Sequence, residues 1–223
     1  MSVLLLHLET STKICSVALS KDGVCIGCIE TGSDGYVHAE QLTPFIEMLM
    51  VEKSIEFGDL HGVSVSSGPG SYTGLRIGVS TAKGLCYALG IPLISIDSLL
   101  CLAISAQEKH QNTNLCALID ARRMEEYAAI YDHQLHPIKP ISADIMEPNS
   151  YKEFEPFVFF GDGAEKVVEL WSDRNCAPDL TIASTAKTQC SLAYQKYIAG
   201  RHEDLAYFEP YYLKDFVTSS KKK

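Results

Sequence analysis

The first hundred residues alternate between strand-like apolar runs and helix-like apolar spacings. Strands are predicted at residues 3–8, 14–20 and 24–30. Asp22-Gly23, between the second and third strands, is a turn sequence typical of a β-hairpin. Apolar residues from Leu42 to Met50 then recur at helical spacing, which predicts an amphipathic helix. That helix starts either at Thr43 with Pro44 in its first turn, or near His38 with a kink.

The pattern continues through a strand at 62–66, a glycine-rich loop at 68–74, a helix to Leu89 and a strand at 92–96. Asp97 or Ser98 then caps a helix that reaches about Ala106. The polar stretch 107–114 has no apolar period, so we place a boundary there. We expect one lobe over 1–106 and a second over 107–223 that ends in a short disordered tail.

The second half repeats the plan of the first. Strands are predicted at 115–119, 126–131 and 157–160, and helices at 164–171 and 183–199. Residues 136–149 contain three prolines, which indicates a loop or an edge strand. Both halves begin with hairpin-rich strands and then alternate helix and strand. The sequence therefore predicts a duplicated α/β fold with mixed sheets flanked by helices.

The run GPGSYTGLRIG, from Gly68 to Gly78, carries the strongest chemical signal. A glycine-rich turn before a helix exposes backbone N–H groups where anions are favoured. However, Leu75-Arg76 stands where a Walker A loop has Lys-Ser or Lys-Thr, and the Rossmann spacing is absent. An anion cradle and a tight strand-to-helix turn both remain open. An interior helical glycine costs about 0.5–1 kcal/mol, so the repeat Gly74, Gly78, Ala82 indicates that another backbone comes close.

The net charge, the cysteines and the apolar runs bear on whether the chain binds nucleic acid, a metal ion or a membrane. The net charge of −9 predicts weak phosphate binding by the chain alone. Cys25 and Cys28 are three apart on a predicted strand, so they point to opposite faces and share no metal unless a bulge intervenes. No basic leader precedes the first apolar run, and no run is long enough to cross a bilayer. We expect a cytoplasmic protein without membrane partners.

Four motifs together resemble the signature of the TsaB (YeaZ) family. They are Glu9-Thr10-Ser11, His38-x-Glu40-x-Leu42-x-Pro44, GPGSYTGLRIG followed by STAKGL, and Asp120-Ala121-Arg122-Arg123. The resemblance implies an α/β, actin-like (ASKHA, ribonuclease-H-like) fold with two similar lobes. It implies a non-catalytic dimerization subunit that pairs with the catalytic paralogue TsaD and the ATPase TsaE. That assembly transfers threonylcarbamoyl to the adenosine next to the tRNA anticodon. The chain then meets tRNA only through the complex, and pairing with a second copy stays open.

Departures from the family pattern bear on catalysis. The family usually has Asp at the position where this chain has Glu9. TsaD-like members have a metal-binding histidine pair in the stretch that corresponds to residues 95–101, which contain no histidine here. We therefore predict no catalytic residue, no metal and no cofactor. Glu9 with Thr10, and Gly161 with Gly163, either line a degenerate nucleotide cleft or form turns, with Asp162 near a helix N-cap. The competing hypotheses are an actin-fold, ATP-dependent phosphotransferase and a glycoprotease-like metallopeptidase.

We predict that the first two helices form the partner interface. Its predicted residues are Leu42, Phe45, Leu49, Gly70, Thr73, Gly74, Arg76, Gly78 and Ala82. The adjacent residues Arg122 and Arg123 have two interpretations. They hold a phosphate or a partner's carboxylates, or they form a solvated hairpin end.

Overall fold

A computed structural model describes residues 2–31 and 38–214. Its first sheet has five strands: β1 (Leu4–Glu9), β2 (Ser16–Lys21), β3 (Val24–Glu30), β4 (Gly62–Gly68) and β5 (Leu93–Asp97), in the order β3-β2-β1-β4-β5. β1 is antiparallel to β2 and parallel to β4, so the sheet is mixed. Asp22 and Gly23 have positive φ angles of 51° and 80°, which confirms the predicted hairpin turn. The tail predicted beyond Lys214 lies outside the described residues.

Two helices lie side by side on this sheet, and a third helix comes directly after β5 in the chain. They are α1 (His38–Glu52), α2 (Tyr72–Leu89) and α3 (Ser98–Gln107). α1 begins at His38 and includes Pro44, which is exposed, so the earlier of the two predicted starts is correct. Asp97 is the N-cap of α3, because its Oδ1 accepts the backbone N–H of Leu100 at 2.8 Å.

The second sheet also has five strands and is mixed. They are β6 (Asn114–Asp120), β7 (Glu125–Tyr131), β8 (Pro137–Ile145), β9 (Phe157–Phe160) and β10 (Cys176–Pro178), in the order β10-β9-β6-β7-β8. The proline-bearing stretch is therefore the edge strand β8, where a missing N–H breaks no inner ladder. The helix predicted at 164–171 is only a 3₁₀ turn, Ala164–Val167. The one predicted from 183 starts later, because Thr185 is extended and caps the 3₁₀ turn that precedes α4 (Gln189–Ile198).

The last helix of each half packs on the other sheet. Leu99, Leu102 and Ala103 of α3 join the core formed by β6 and β7. Ala193 of α4 packs instead with Leu5 of β1. The first sheet ends at Asp97 and the second begins at Asn114, and α3 and α4 each pack on the sheet of the other half. The two lobes are tied together by this exchange.

Candidate functional site

The glycine loop closes on the turn that follows β1. Ser71 caps α2, with its Oγ accepting the N–H of Gly74 at 3.2 Å. The backbone N–H of Ser71 donates to the carbonyl of Ser11 at 2.7 Å. Two of the backbone donors at the start of α2 are thus bonded within the chain. This geometry is that of the tight strand-to-helix turn, the second interpretation of the loop.

The backbone that the glycine repeat was expected to admit belongs to this chain. A Cβ added at Gly70 or Gly74 would lie within 3.0 Å of the carbonyl oxygens of Ser11 and Thr10 respectively. A Cβ at Gly78 would lie equally close to Thr10 Oγ1. These three glycines therefore accommodate the Thr10-Ser11 turn, so the close backbone that the repeat indicated is that of the same chain.

Burial divides the remaining interface residues. Leu42, Leu49 and Ala82 have 1%, 0% and 0% of their surface exposed, because they lie between the helices and the sheet. They support the helices and cannot touch a partner directly. Thr73 and Arg76 are exposed and Phe45 is half-buried, so these three stay candidates for contact.

The outer surface of the two helices also carries exposed apolar residues. Met48 and Val51 of α1 and Tyr87 of α2 are 57%, 79% and 84% exposed. The helical spacing of α2 indicates which of its residues face outward. Residues 73, 77, 80, 84 and 87 lie on the side opposite the buried positions 75, 79, 82 and 86.

Glu9 serves the turn after β1. Its carboxylate is fully buried, and Oε1 accepts hydrogen bonds from the backbone N–H (2.8 Å) and the hydroxyl (2.5 Å) of Ser11. Thr10 is also fully buried, against Gly78. The pKa of Asp97 is raised to about 6, mainly by burial and to a smaller extent by the charge of Glu9.

The Gly161 turn is likewise packed against its own lobe. Gly161 has a φ of 102°, and a Cβ there would meet the carbonyl oxygen of Leu118. A Cβ at Gly163 would meet Glu126 Oε2. Asp162 lies next to Gly163, the N-cap of the following 3₁₀ turn, but its side chain makes no capping hydrogen bond there. Its Oδ1 instead accepts the N–H of Asp120 at 3.1 Å, which joins the ends of β9 and β6. All four residues proposed for the nucleotide cleft are thus buried in contacts within the chain.

A lysine occupies the acidic cluster beside this turn. Lys166 Nζ lies 2.5 Å from Asp120 Oδ1 and 2.9 Å from Glu126 Oε1. Glu126 is fully buried, and this desolvation raises its pKa to about 8. Within residues 2–31 and 38–214, no group of three or more His, Cys, Asp or Glu side chains is arranged to hold a metal ion.

The two cysteines of β3 correct one expectation. The ladder pairs Cys25 with Ser20 and Cys28 with Ala18, with a bulge between them. Because Ser20 and Ala18 are two apart on β2, both cysteines lie on one face of the sheet. The prediction of opposite faces was wrong, since a bulge leaves little trace in the sequence.

A C-terminal strap, defined here as residues 203–213, crosses α2. Lys83 Nζ donates to the carbonyl of Phe208 at 3.0 Å, and the N–H of Tyr211 donates to the carbonyl of Ser67 at 2.7 Å. The guanidinium of Arg76 lies 4.1 Å from the centre of the Tyr72 ring, and its Nε donates to the hydroxyl of Tyr212. No local sequence pattern predicts this strap, because its contacts join positions more than a hundred residues apart.

A solved structure and a family model show the fold class to which this chain belongs. The solved structure of YeaZ from Pseudomonas aeruginosa matches with a TM-score of 0.81 and 27% identity, over 95% of this chain and 100% of that one. The fold is the two-lobed, actin-like ASKHA fold, with two mixed five-stranded sheets flanked by helices. The sequence model of the family described as "TsaD: tRNA N6-adenosine threonylcarbamoyltransferase" matches residues 36–217.

Two relatives named TsaB identify the family more specifically. A TsaB protein of Escherichia coli K12 is 26% identical over 230 residues, covering 97% of each chain. A TsaB protein of Bacillus subtilis 168 is 31% identical over 167 residues, covering 70% of each. The chain belongs to the TsaB (YeaZ) family, as its motifs indicated. None of the helices within the described ranges is long and apolar enough to span a bilayer.

Proposed function

We propose that this chain is a non-catalytic pairing subunit in the biosynthesis of threonylcarbamoyladenosine on tRNA. It presents α1 and α2 to a TsaD-like catalytic subunit, in a cytoplasmic assembly that includes a TsaE-like ATPase. Both relatives are named tRNA threonylcarbamoyladenosine biosynthesis protein TsaB, which supports the pathway. The observation that carries the pairing role is the exposed outer surface of the two helices.

That outer surface has the composition of an interface. α1 has 15 residues and α2 has 18, so they are about 22 and 27 Å long. Met48, Val51 and Tyr87 supply exposed apolar area. Arg76 and Lys83, the charged residues of α2, bond to the strap. Two such helices offer roughly the 800 Å² per partner of a standard interface, with an apolar centre.

Three observations favour a pairing subunit over a phosphotransferase or a peptidase. The Glu9 carboxylate accepts hydrogen bonds from Ser11. The ammonium of Lys166 lies in the acidic cluster of the second lobe. His38 is buried, with Nε2 at 2.8 Å from the carbonyl of Thr12. The acidic net charge of −9 also favours contact with tRNA through the complex.

The test is whether the purified chain pairs with a TsaD homologue from the same cell. In sedimentation experiments we expect Val51→Glu to weaken pairing by at least about tenfold, because burying an unpaired carboxylate costs several kcal/mol. Ile198→Glu is the matched control, since Ile198 is 63% exposed at the end of α4, on another element. In a single-turnover assay with the adenylate supplied, transfer to unmodified tRNA requires the partner. Transfer by the chain alone, or normal pairing of Val51→Glu, would refute the proposal.

A further inference from the structure

The hairpin between β6 and β7 ends in two arginines with an unusual backbone conformation. Arg122 and Arg123 have φ angles of 74° and 58°. Side chains other than glycine and asparagine rarely adopt this left-handed region, so a pair of successive arginines there is strained. Such strain persists where surrounding contacts impose it and is a reason to ask what the site does.

The surrounding contacts hold this arginine tip in place. The N–H of Arg122 donates to Asp120 Oδ1 at 2.5 Å, and that oxygen also binds Lys166. The N–H of Ala121 donates to the carbonyl of Glu125 at 3.1 Å, which closes the hairpin below the tip. The two guanidinium groups are therefore carried on a loop that is fixed at its base.

Both arginine side chains are exposed and uncompensated. Among residues 2–31 and 38–214, neither forms an ion pair. The nearby acid Glu125 pairs with Lys214 instead. Lys13 adds positive charge at the same end of the second sheet, where it acts on Asp162. The acids at this end, Asp120 and Glu125, are paired with Lys166 and Lys214, so the two adjacent guanidinium groups stay available to an anion in a chain with a net charge of −9.

We propose that the arginine tip, Arg122 and Arg123, binds the phosphodiester backbone of tRNA within the assembly; this rests on the proposed function. A guanidinium binds phosphate through two parallel hydrogen bonds, and phosphate contacts position a protein on RNA without a large apolar surface. Met124 and Ile145, beside the tip, are 45% and 69% exposed, but the tip itself presents two guanidinium groups. Protein interfaces are centred on apolar anchors, such as the residues exposed on α1 and α2. A phosphate backbone therefore suits the tip better than an acidic protein.

The experiment titrates unmodified tRNA transcript into the complex of this chain with its TsaD-like partner, at several salt concentrations. The variant Arg122→Asn/Arg123→Asn removes both charges and keeps residues that tolerate the left-handed backbone. We expect the salt-dependence slope of tRNA binding to fall by about two, and binding at about 0.15 M salt to weaken roughly tenfold or more. Thermal stability should be unchanged or higher, because the strain is relieved.

The control Lys152→Gln/Arg201→Gln removes two exposed charges from other parts of the chain and should leave the slope unchanged. If the arginine variant pairs normally and its slope and affinity match the wild type, the tip does not contact tRNA and this proposal alone is overturned. If the variant loses pairing in the absence of RNA, the tip binds a protein and the proposal is also overturned. A wild-type chain that fails to pair overturns the proposed function and this proposal with it.

Discussion

Replacing Gly78 by alanine tests the packing of α2 on the Thr10-Ser11 turn. The added Cβ would lie within 3.0 Å of Thr10 Oγ1 and 3.4 Å from Val65 Cγ2. Thr10 and Val65 are fully buried, so neither has free space to move into. Overpacking of this kind costs about 1–3 kcal/mol, offset by about 0.5–1 kcal/mol of helix propensity. We expect a net loss of about 1–2 kcal/mol.

Gly84→Ala is the matched control in the same helix. A Cβ at Gly84 meets nothing within 4 Å, so only helix propensity changes and stability should rise by about 0.5–1 kcal/mol. For a chain of this size 1 kcal/mol shifts Tm by about 2–4 °C. Thermal unfolding should therefore show opposite shifts, about 2–8 °C downward for Gly78→Ala and about 1–4 °C upward for Gly84→Ala.

A double-mutant cycle with Thr10→Ala identifies the colliding atom. Thr10 Oγ1 is buried and makes no hydrogen bond within the described residues, so its removal sacrifices none. The double variant should recover most of the stability that Gly78→Ala loses, as a positive coupling between neighbours. If Gly78→Ala is as stable as Gly84→Ala, or if the coupling is absent, the turn does not pack against α2. The glycine repeat would then be free for a partner's backbone after all.

Two further predictions concern the stability of the first lobe. Burial lowers the pKa of His7 to about 3, so the folded state favours the neutral imidazole. The contribution of His7 to the free energy of unfolding is therefore fully present above the ordinary pKa of about 6.5. It falls as the pH drops, by about 2 kcal/mol from pH 7 to pH 5. Urea unfolding at both pH values should show this loss in the wild type and a smaller one in His7→Gln. Ser71→Ala removes the α2 cap and should cost about 1 kcal/mol in the same assay, whereas Ser80→Ala, on the exposed side, should stay within about 0.5 kcal/mol of the wild type.

Local features of the fold were predictable, because neighbouring residues determine them. Asp22-Gly23 forms its hairpin turn through its own backbone preferences. Asp97 caps α3 because its side chain accepts the backbone N–H of Leu100, only three residues later. The strap and the exchange of α3 and α4 involve distant positions, so no local pattern announces them. The glycine repeat of α2 lies between these cases. It reported that a backbone comes close, but the sequence holds no information on which backbone that is.

The closure of the β1 turn and the exposure of the α2 outer surface are two sides of one arrangement. The carbonyl of Ser11 accepts the N–H of Ser71 at the start of α2, and Gly78 fits over Thr10 about two turns later. Both contacts use the inner side of the helix. On the other side, the strap bonds Lys83 and Arg76 and leaves the remaining outer positions uncharged. We infer that the contacts that fill the first-lobe loop also hold α2 rigid, which lowers the entropy that a partner must overcome to bind it.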